Sequence, residues 1–205
     1  MTTSNTVYDV HDDTLLLYDA LCDKLASLRD SFDKDKKLRL LDMGAGSGYL
    51  GFEAYKQGWV DVMLADKNPE AVDHMKMFVE EEDLPIDIFQ SDLFDSIPRE
   101  RTFDLIVFNT PYLPFDTDWD EHDMSIHGGR KGNEVTLAFL DRVASYLSPD
   151  GSILLLFSSL STPGDILEKA DELGFSCTEV ASKSLFFERL FVYEFKRRGV
   201  VHAIG

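Results

Sequence analysis

From Leu38 onward the chain alternates short apolar runs with stretches whose apolar residues recur at helical spacing, and few architectures accommodate that order. LRLLDM (38–43), DVMLA (61–65), IDIFQ (86–90), DLIVFN (104–109) and SILLLF (152–157) read as buried strands, each bounded by Gly, Asp or Pro. Between them Tyr49 to Gln57, Pro69 to Glu82, Glu134 to Leu147 and Asp165 to Leu173 read as helices, with Asn133 capping the third and Gly58 and Gly174 as stops. Strand, helix, strand in succession requires an α/β fold: a parallel sheet with right-handed crossovers and helices on both faces. The C-terminal part differs, because FSCTEVASK and ERLFVYEFKR follow one another without a helix, as an antiparallel pair would. Ahead of the sheet, Thr14 to Leu28 predicts an amphipathic helix opened by Asp12 or Asp13, and the polar stretch Arg29 to Lys37 reads as a linker. The division is therefore an N-terminal helical segment, 1–37, and a sheet domain, 38–205, expected to form one structural domain.

Composition narrows the partners. Lys and Arg number 20 against 38 Asp and Glu in 205 residues, a formal charge of −18. Such a balance repels a phosphate backbone, so direct nucleic-acid binding is disfavoured; the charge serves solubility equally well. Cys22 and Cys177 stand far apart with no C-x-x-C pair, which is neither a disulfide framework nor a zinc site. The first residues, MTTSNTVYDVHDD, have no basic or apolar leader character, and no uncharged apolar run reaches the roughly 18 residues that span a bilayer. A soluble cytoplasmic protein without membrane partners is expected.

The first chemical signal is Asp42-Met43-Gly44-Ala45-Gly46-Ser47-Gly48, where a strand turns into a helix. Glycines at such a turn let the backbone approach a ligand, and the helix end offers free N–H groups. Asp66 closes the second strand twenty residues after Gly46, the distance at which an acid reaches ribose hydroxyls. Gly46-Ser47-Gly48-Tyr49-Leu50-Gly51 also satisfies G-x-G-x-x-G, so a nicotinamide dehydrogenase enters consideration. An acid at Asp42 would crowd a pyrophosphate but suits the ammonium and sulfonium of S-adenosyl-L-methionine. Asp92, after the third strand, can accept from an adenine amino group. Asn109-Thr110-Pro111-Tyr112 closes the fourth strand, and ligands in such sheets bind outside the carboxyl ends of the strands.

At this point the chain resembles the HemK-like class I methyltransferases, whose N-P-P-Y motif follows strand four; Thr110 stands here for the first Pro. Val7-Tyr8-Asp9 with Asp13-Thr14-Leu15-Leu16-Leu17 is similar to the family's Y-E-P-A-E-D-T-F-L-L-L opening in its archaeal and eukaryotic branch, with Val10 and His11 replacing Pro and Ala. Asp66-Lys67-Asn68-Pro69 is similar to D-x-N-P, Gly128-Gly129-Arg130-Lys131-Gly132 to G-G-x-x-G, and Glu188-Arg189-Leu190 to E-x-L. The resemblance implies a seven-stranded sheet of order 3-2-1-4-5-7-6. It implies donor contacts from Asp13, Thr14, Asp42, Gly44, Gly46, Gly48, Asp66, Lys67, Asp92, Leu93 and Asn109, with the N-terminal segment covering that site. It implies methylation of the glutamine amide in the GGQ segment of the class-1 translation termination (release) factor, with protein lysine as a second acceptor type.

The residues themselves reach methyl transfer to a planar nitrogen. An amide nitrogen is a poor nucleophile because its lone pair is delocalised, so it must be oriented with its protons held in hydrogen bonds. Asn109 offers an acceptor and a donor that match a carboxamide, and the carbonyl of Thr110 or Pro111 can take the second N–H. Pro111 restricts the loop and Tyr112 can stack on a flat group. An exocyclic adenine amine fits the same geometry, and the acidic charge favours protein as the acceptor. A catalytically idle binding module is the alternative from another class.

Other conspicuous residues carry less. His122 and His127 lie with Trp119 in the long connection 113–132, two histidines without a third ligand, and no metal is expected. Ser158-Ser159 lacks the G-x-S-x-G elbow and is given no role. In the implied sheet order Ile86-Asp87-Ile88-Phe89 is the edge, with only Asp87 and Pro85 to blunt it. Met75, Met77 and Phe78 on the neighbouring helix extend its apolar surface. The resemblance implies a partner there, a small zinc-ribbon activator protein that adds a strand along 86–89 and forms a heterodimer.

Overall fold

The computed structural model describes residues 11–30, 33, 35–114 and 127–199. Seven strands form the main sheet: β1 (Leu38–Met43), β2 (Val60–Asp66), β3 (Asp87–Gln90), β4 (Phe103–Asn109), β5 (Leu147–Ser158), β6 (Phe175–Ser184) and β7 (Arg189–Arg197). Their order is β3-β2-β1-β4-β5-β7-β6, as the resemblance implied. β1 to β5 run parallel, and β7 pairs antiparallel with both β5 and β6. Among the described residues five α-helices complete the fold: α1 (Asp12–Arg29), α2 (Tyr49–Tyr55), α3 (Pro69–Glu81), α4 (Glu134–Val143) and α5 (Pro163–Glu172).

Alternation along each strand sorts the core onto two faces. Leu38 and Leu40 of β1, Val62 and Leu64 of β2, Leu105 and Val107 of β4 and Leu154 and Leu156 of β5 pack with Leu17, Leu21 and Leu25 of α1, Leu50 and Ala54 of α2 and Val72 and Met75 of α3. The intervening residues Met43, Met63, Ile106, Phe108, Leu155 and Phe157 pack with Phe139 and Leu140 of α4 and Ile166 and Ala170 of α5. Each large apolar side chain buried this way contributes roughly 1.5–3 kcal/mol, so register is strongly specified. Even positions 42 and 66 and odd position 109 continue the alternation that faces α1 to α3 and bring acid, acid and amide to the carboxyl ends of adjacent strands.

Local chemistry accounts for the ends. Asn68 caps α3 by accepting from the Glu70 N–H at 3.0 Å, and Pro69 occupies the first turn, where its missing donor costs nothing. The helix α1 begins instead at His11, which makes no side-chain cap bond; neither Asp12 nor Asp13 caps it, and Asp13 turns inward from the first turn. Asn133 stands at the cap position of α4 but donates its Nδ2–H to Asp165 Oδ2 at 3.1 Å, so it ties α4 to α5. The helix expected to reach Leu147 ends at Val143, followed by a tight turn, Ala144–Tyr146. Leu147 pairs with Phe103, which draws the chain into β5 five residues before the apolar run begins. Lys24 of α1 pairs with Glu194 of β7 at 2.7 Å, both side chains largely buried, which fastens the helix across the sheet. Burial alone would raise the Glu194 carboxyl, but Lys24 and Lys196 hold it below the usual range.

Candidate active site

The turn after β1 carries Gly44, Gly46 and Gly48, all at positive φ. At Gly48 the requirement is doubled, since φ is +78° and an added Cβ would stand 2.5 Å from the Phe52 ring. The carboxylate of Asp66 organises this turn from the end of β2. One oxygen accepts the Gly46 N–H at 2.8 Å and the other the Asn68 N–H at 2.8 Å, which joins the glycine turn to the start of α3. Each oxygen keeps a second lone pair for a hydroxyl donor. Asp42 is buried and accepts the Gly51 N–H at 2.9 Å. Burial pushes its carboxyl up to about 7 against the lowering pull of the Gly51 N–H, with the Asp66 charge adding to the rise.

Beyond β3, Asp92 is exposed and pairs with Lys67 at 2.6 Å, so two of the expected donor contacts meet each other at the rim. Leu93 follows at φ +50°, held because Ser91 Oγ donates to its carbonyl at 2.7 Å while accepting the Ser96 N–H at 2.9 Å. Glycine backbone held by the Asp66 carboxylate, with the exposed Asp92 and Lys67 at its rim, is a donor and acceptor set that fits S-adenosyl-L-methionine.

Asn109 ends β4 beside it. Its Nδ2 donates to Asp13 Oδ2 at 3.1 Å and reaches Thr14 Oγ1 at 3.5 Å, while its Oδ1 is buried with no hydrogen-bond partner among the described residues. Thr110 is buried and donates from Oγ1 to the Leu156 carbonyl at 2.8 Å, so the residue that replaces proline pins the loop to β5. Tyr112 donates to Asp13 Oδ2 at 3.4 Å. Burial and then the charges of Asp13 and Glu188 raise its phenol well above the ordinary range, so it stays a proton donor.

The glycine-rich segment supports this loop from behind. A two-residue strand, Leu113–Pro114, pairs with His127–Gly129, and a Cβ at Gly128 would lie 2.2 Å from the Pro111 carbonyl oxygen. A Cβ at Gly132 would lie 2.4 Å from that of Tyr112. Glu134 closes the segment by accepting the Lys131 and Asn133 N–H groups at 3.1 and 3.2 Å; burial opposes its charge, but these donors hold its carboxyl below the usual range.

The structure thus gathers Asp13, Thr14, Asn109 and Tyr112 in one cluster, and Asp42, Asp66 and the glycines in an adjoining one. Two residues escaped sequence reasoning. Ser158, given no role, is buried and bonds Glu188, whose charge reaches Tyr112; the only signal was Glu188 in the E-x-L match. Glu134 was visible only as the first residue of a helix. Trp119 and His122 lie outside the described residues, as do Val7 to Val10; among the described residues no cluster of His, Cys, Asp and Glu could hold a metal. No described helix is long and apolar enough to cross a membrane.

Sheet order, antiparallel finish and glycine turn are those of the class I methyltransferases. Residues 23–186 match the family model of the methyltransferase small domain, and the chain belongs to that family. It is 32% identical over 191 residues to a protein of Methanocaldococcus jannaschii assigned as a protein N5-glutamine methyltransferase, covering 91% of this chain and 89% of the relative. It is 24% identical to the eRF1 methyltransferase catalytic subunit mtq2 of Schizosaccharomyces pombe, covering 94% and 90%. Among solved structures, the Mtq2-Trm112 complex of E. cuniculi, responsible for methylation of the eRF1 translation termination factor, superposes with a TM-score of 0.69 at 25% identity over 93% of this chain and 98% of that one. The dehydrogenase alternative is thereby removed: the chain is a methyltransferase.

Proposed function

We propose that this chain is an S-adenosyl-L-methionine-dependent protein N-methyltransferase that acts on the side-chain amide of a glutamine in a class-1 translation termination factor. The observation that carries it is the buried Oδ1 of Asn109 at the end of β4, which has no hydrogen-bond partner among the described residues. A buried acceptor without a donor costs about 1–3 kcal/mol, and an incoming amide N–H relieves that cost only when the acceptor substrate is bound. The names of the relatives point the same way. Gly44, Gly46 and Gly48, with Asp42, Asp66, Lys67, Asp92 and Leu93 around them, would hold the cofactor; when bound it supplies an electrophilic methyl group on a sulfonium. Asn109 Oδ1 holds one acceptor N–H and aligns the nitrogen, and orientation of this kind needs no strong base. Pro111 limits the loop's freedom and Tyr112 walls the acceptor slot. The N-terminal segment, through α1, covers the cleft.

For the partner, the reading is a small activator protein, of the zinc-ribbon type the family resemblance implies, along β3. Among the described residues that strand pairs on one side only, with β2, and Met77 of α3, the helix that packs beside it, is exposed, while Phe78 turns its ring to Phe52 of α2 with centroids 4.7 Å apart. Met75 does not belong to the patch, since it is fully buried beneath α3. Arg101 pairs with Asp87 at 3.2 Å at the start of that strand. A heterodimer in the cytoplasm is the working form proposed.

The test is mass spectrometry of a release factor incubated with the enzyme, its activator and the methyl donor. A gain of one methyl group on the glutamine of the GGQ segment is expected. Methyl found only on lysine, or only on adenine in a nucleic-acid control, would overturn the glutamine assignment.

A further inference from the structure

We infer that Asp13 is a positioning residue for the acceptor: it fixes which end of the Asn109 amide faces the substrate. The inference rests on the reading of Asn109 as the acceptor-orienting residue. A side-chain amide has two nearly isosteric orientations that exchange a donor for an acceptor, and its neighbours decide between them. Only the one that turns oxygen toward the slot can take an acceptor N–H.

Asp13 makes that decision because an ionised carboxylate can only accept. Its Oδ2 lies 3.1 Å from Asn109 Nδ2, and the flipped amide would set two oxygens at that separation with no proton between them. The other polar neighbour, Thr14, is a hydroxyl and by itself indifferent. It too is aligned by Asp13, whose Oδ1 takes the Thr14 N–H at 2.6 Å and faces its Oγ1 at 3.4 Å. With its proton turned to Asp13, Thr14 Oγ1 leaves a lone pair for Asn109 Nδ2 at 3.5 Å. Tyr112 donates into the same Oδ2 at 3.4 Å. Backbone N–H, hydroxyl, amide and phenol all donate to one carboxylate, and Asn109 Oδ1 is the acceptor left without a donor among the described residues, the atom that the proposed function gives to the substrate amide.

The carboxylate is also well held. Asp13 is 3% exposed, on the first turn of a helix anchored by Leu17, Leu21, Leu25 and the Lys24–Glu194 pair. A buried charge stays in such a site only because donors surround it, and here every donor named belongs to the segment that opens α1 or to the acceptor loop. Asp13 therefore acts on the methyl acceptor through Asn109, in addition to any contact of Thr14 with the donor.

Asp13→Asn tests this, because the substituted amide can meet Asn109 with either end and no longer selects one orientation. The expected result, at saturating methyl donor, is a fall of roughly 10- to 100-fold in kcat for the protein acceptor. The exchange variant, Asp13→Asn with Asn109→Asp, keeps the charge and restores an oxygen toward the slot; it should recover at least about tenfold over Asn109→Asp alone, which a merely structural role would not produce. The third readout needs no acceptor. The side-chain amide resonances of Asn109, identified by their loss in Asn109→Asp, should shift and exchange faster in Asp13→Asn. An unchanged kcat in Asp13→Asn, or absence of rescue together with unmoved Asn109 resonances, overturns the inference. If the wild type methylates no glutamine, the proposed function fails, and the resonances alone decide for or against Asp13.

Discussion

Asn109 at the end of β4 donates its side-chain N–H to Asp13 at the start of α1, a 3.1 Å contact between residues 96 positions apart in the chain. Beyond the core it buries through Leu17, Leu21 and Leu25, the N-terminal helix thereby delivers a carboxylate to the end of the fourth strand and leaves the amide oxygen of Asn109 without a donor among the described residues. Perturbing either side of the cleft should therefore separate binding of the methyl donor from use of the acceptor.

Asn109→Ala removes the acceptor oxygen and leaves the glycine turn and both acids in place. Methyl transfer should fall by about 10²-fold or more, the worth of one oriented catalytic hydrogen bond, while donor affinity is retained. Turnover at the wild-type rate with saturating acceptor would show that the amide does not orient the substrate.

Gly128→Ala tests the support behind the loop. The new methyl would lie 2.2 Å from the Pro111 carbonyl oxygen and 2.3 Å from that of Gly132, so backbone has to move. Stability should drop by about 1–3 kcal/mol, and kcat should fall more than donor affinity. Equal kcat in the two proteins would mean that the exact path of residues 109–112 is unimportant.

Asp66→Ala leaves the Gly46 and Asn68 N–H groups without their acceptor. Donor binding should weaken by about 1.5–3 kcal/mol, partly through lost ribose contacts and partly through a loosened turn. Calorimetry that returns an unchanged Kd removes Asp66 from the cofactor site.

Asp42 supplies a pH test. Its folded carboxyl sits at about 7 against an ordinary 3.8, so the folded state holds a proton that the unfolded chain has lost. That contribution to stability is complete below the ordinary value, declines above it and is gone once pH passes about 7. Asp42→Asn keeps an oxygen for Gly51 and does not titrate. In urea titrations it should gain on the wild type between about pH 4 and pH 8, by roughly 2–4 kcal/mol. Parallel stability curves across that range would contradict a protonated Asp42.

Ile88→Lys addresses the partner. The strand pairs on one side only, and a lysine on it is a standard device against further pairing. The variant should fold and bind the donor, yet fail to retain the activator in a pull-down. Undiminished retention, with full activity of the chain alone, would move the partner surface elsewhere.

Alternation of apolar runs with helical spacing was enough to read the parallel sheet, both helical faces and the antiparallel finish, because the central strands β1, β2, β4 and β5 are buried on both faces and their period leaves little freedom of register. The same local chemistry marked the glycine turn, the acids at the ends of β1 and β2 and the Asn-Thr-Pro-Tyr loop, since these sit where strands end. Helix limits were less legible: α4 stops at Val143 because Leu147 pairs with Phe103, a contact no window of sequence contains. The sequence by itself placed Asn109 at the carboxyl end of the fourth strand, where ligands of such sheets bind. Only the tertiary structure decided that Asp13 would meet it there, that Asp66, read as a ribose contact, would also be tied to the glycine turn, and that Ser158 would hold Glu188 near Tyr112. Those contacts join elements distant in the chain, and their geometry follows from how α1 and the strand ends pack across the sheet, which depends on all the buried residues together.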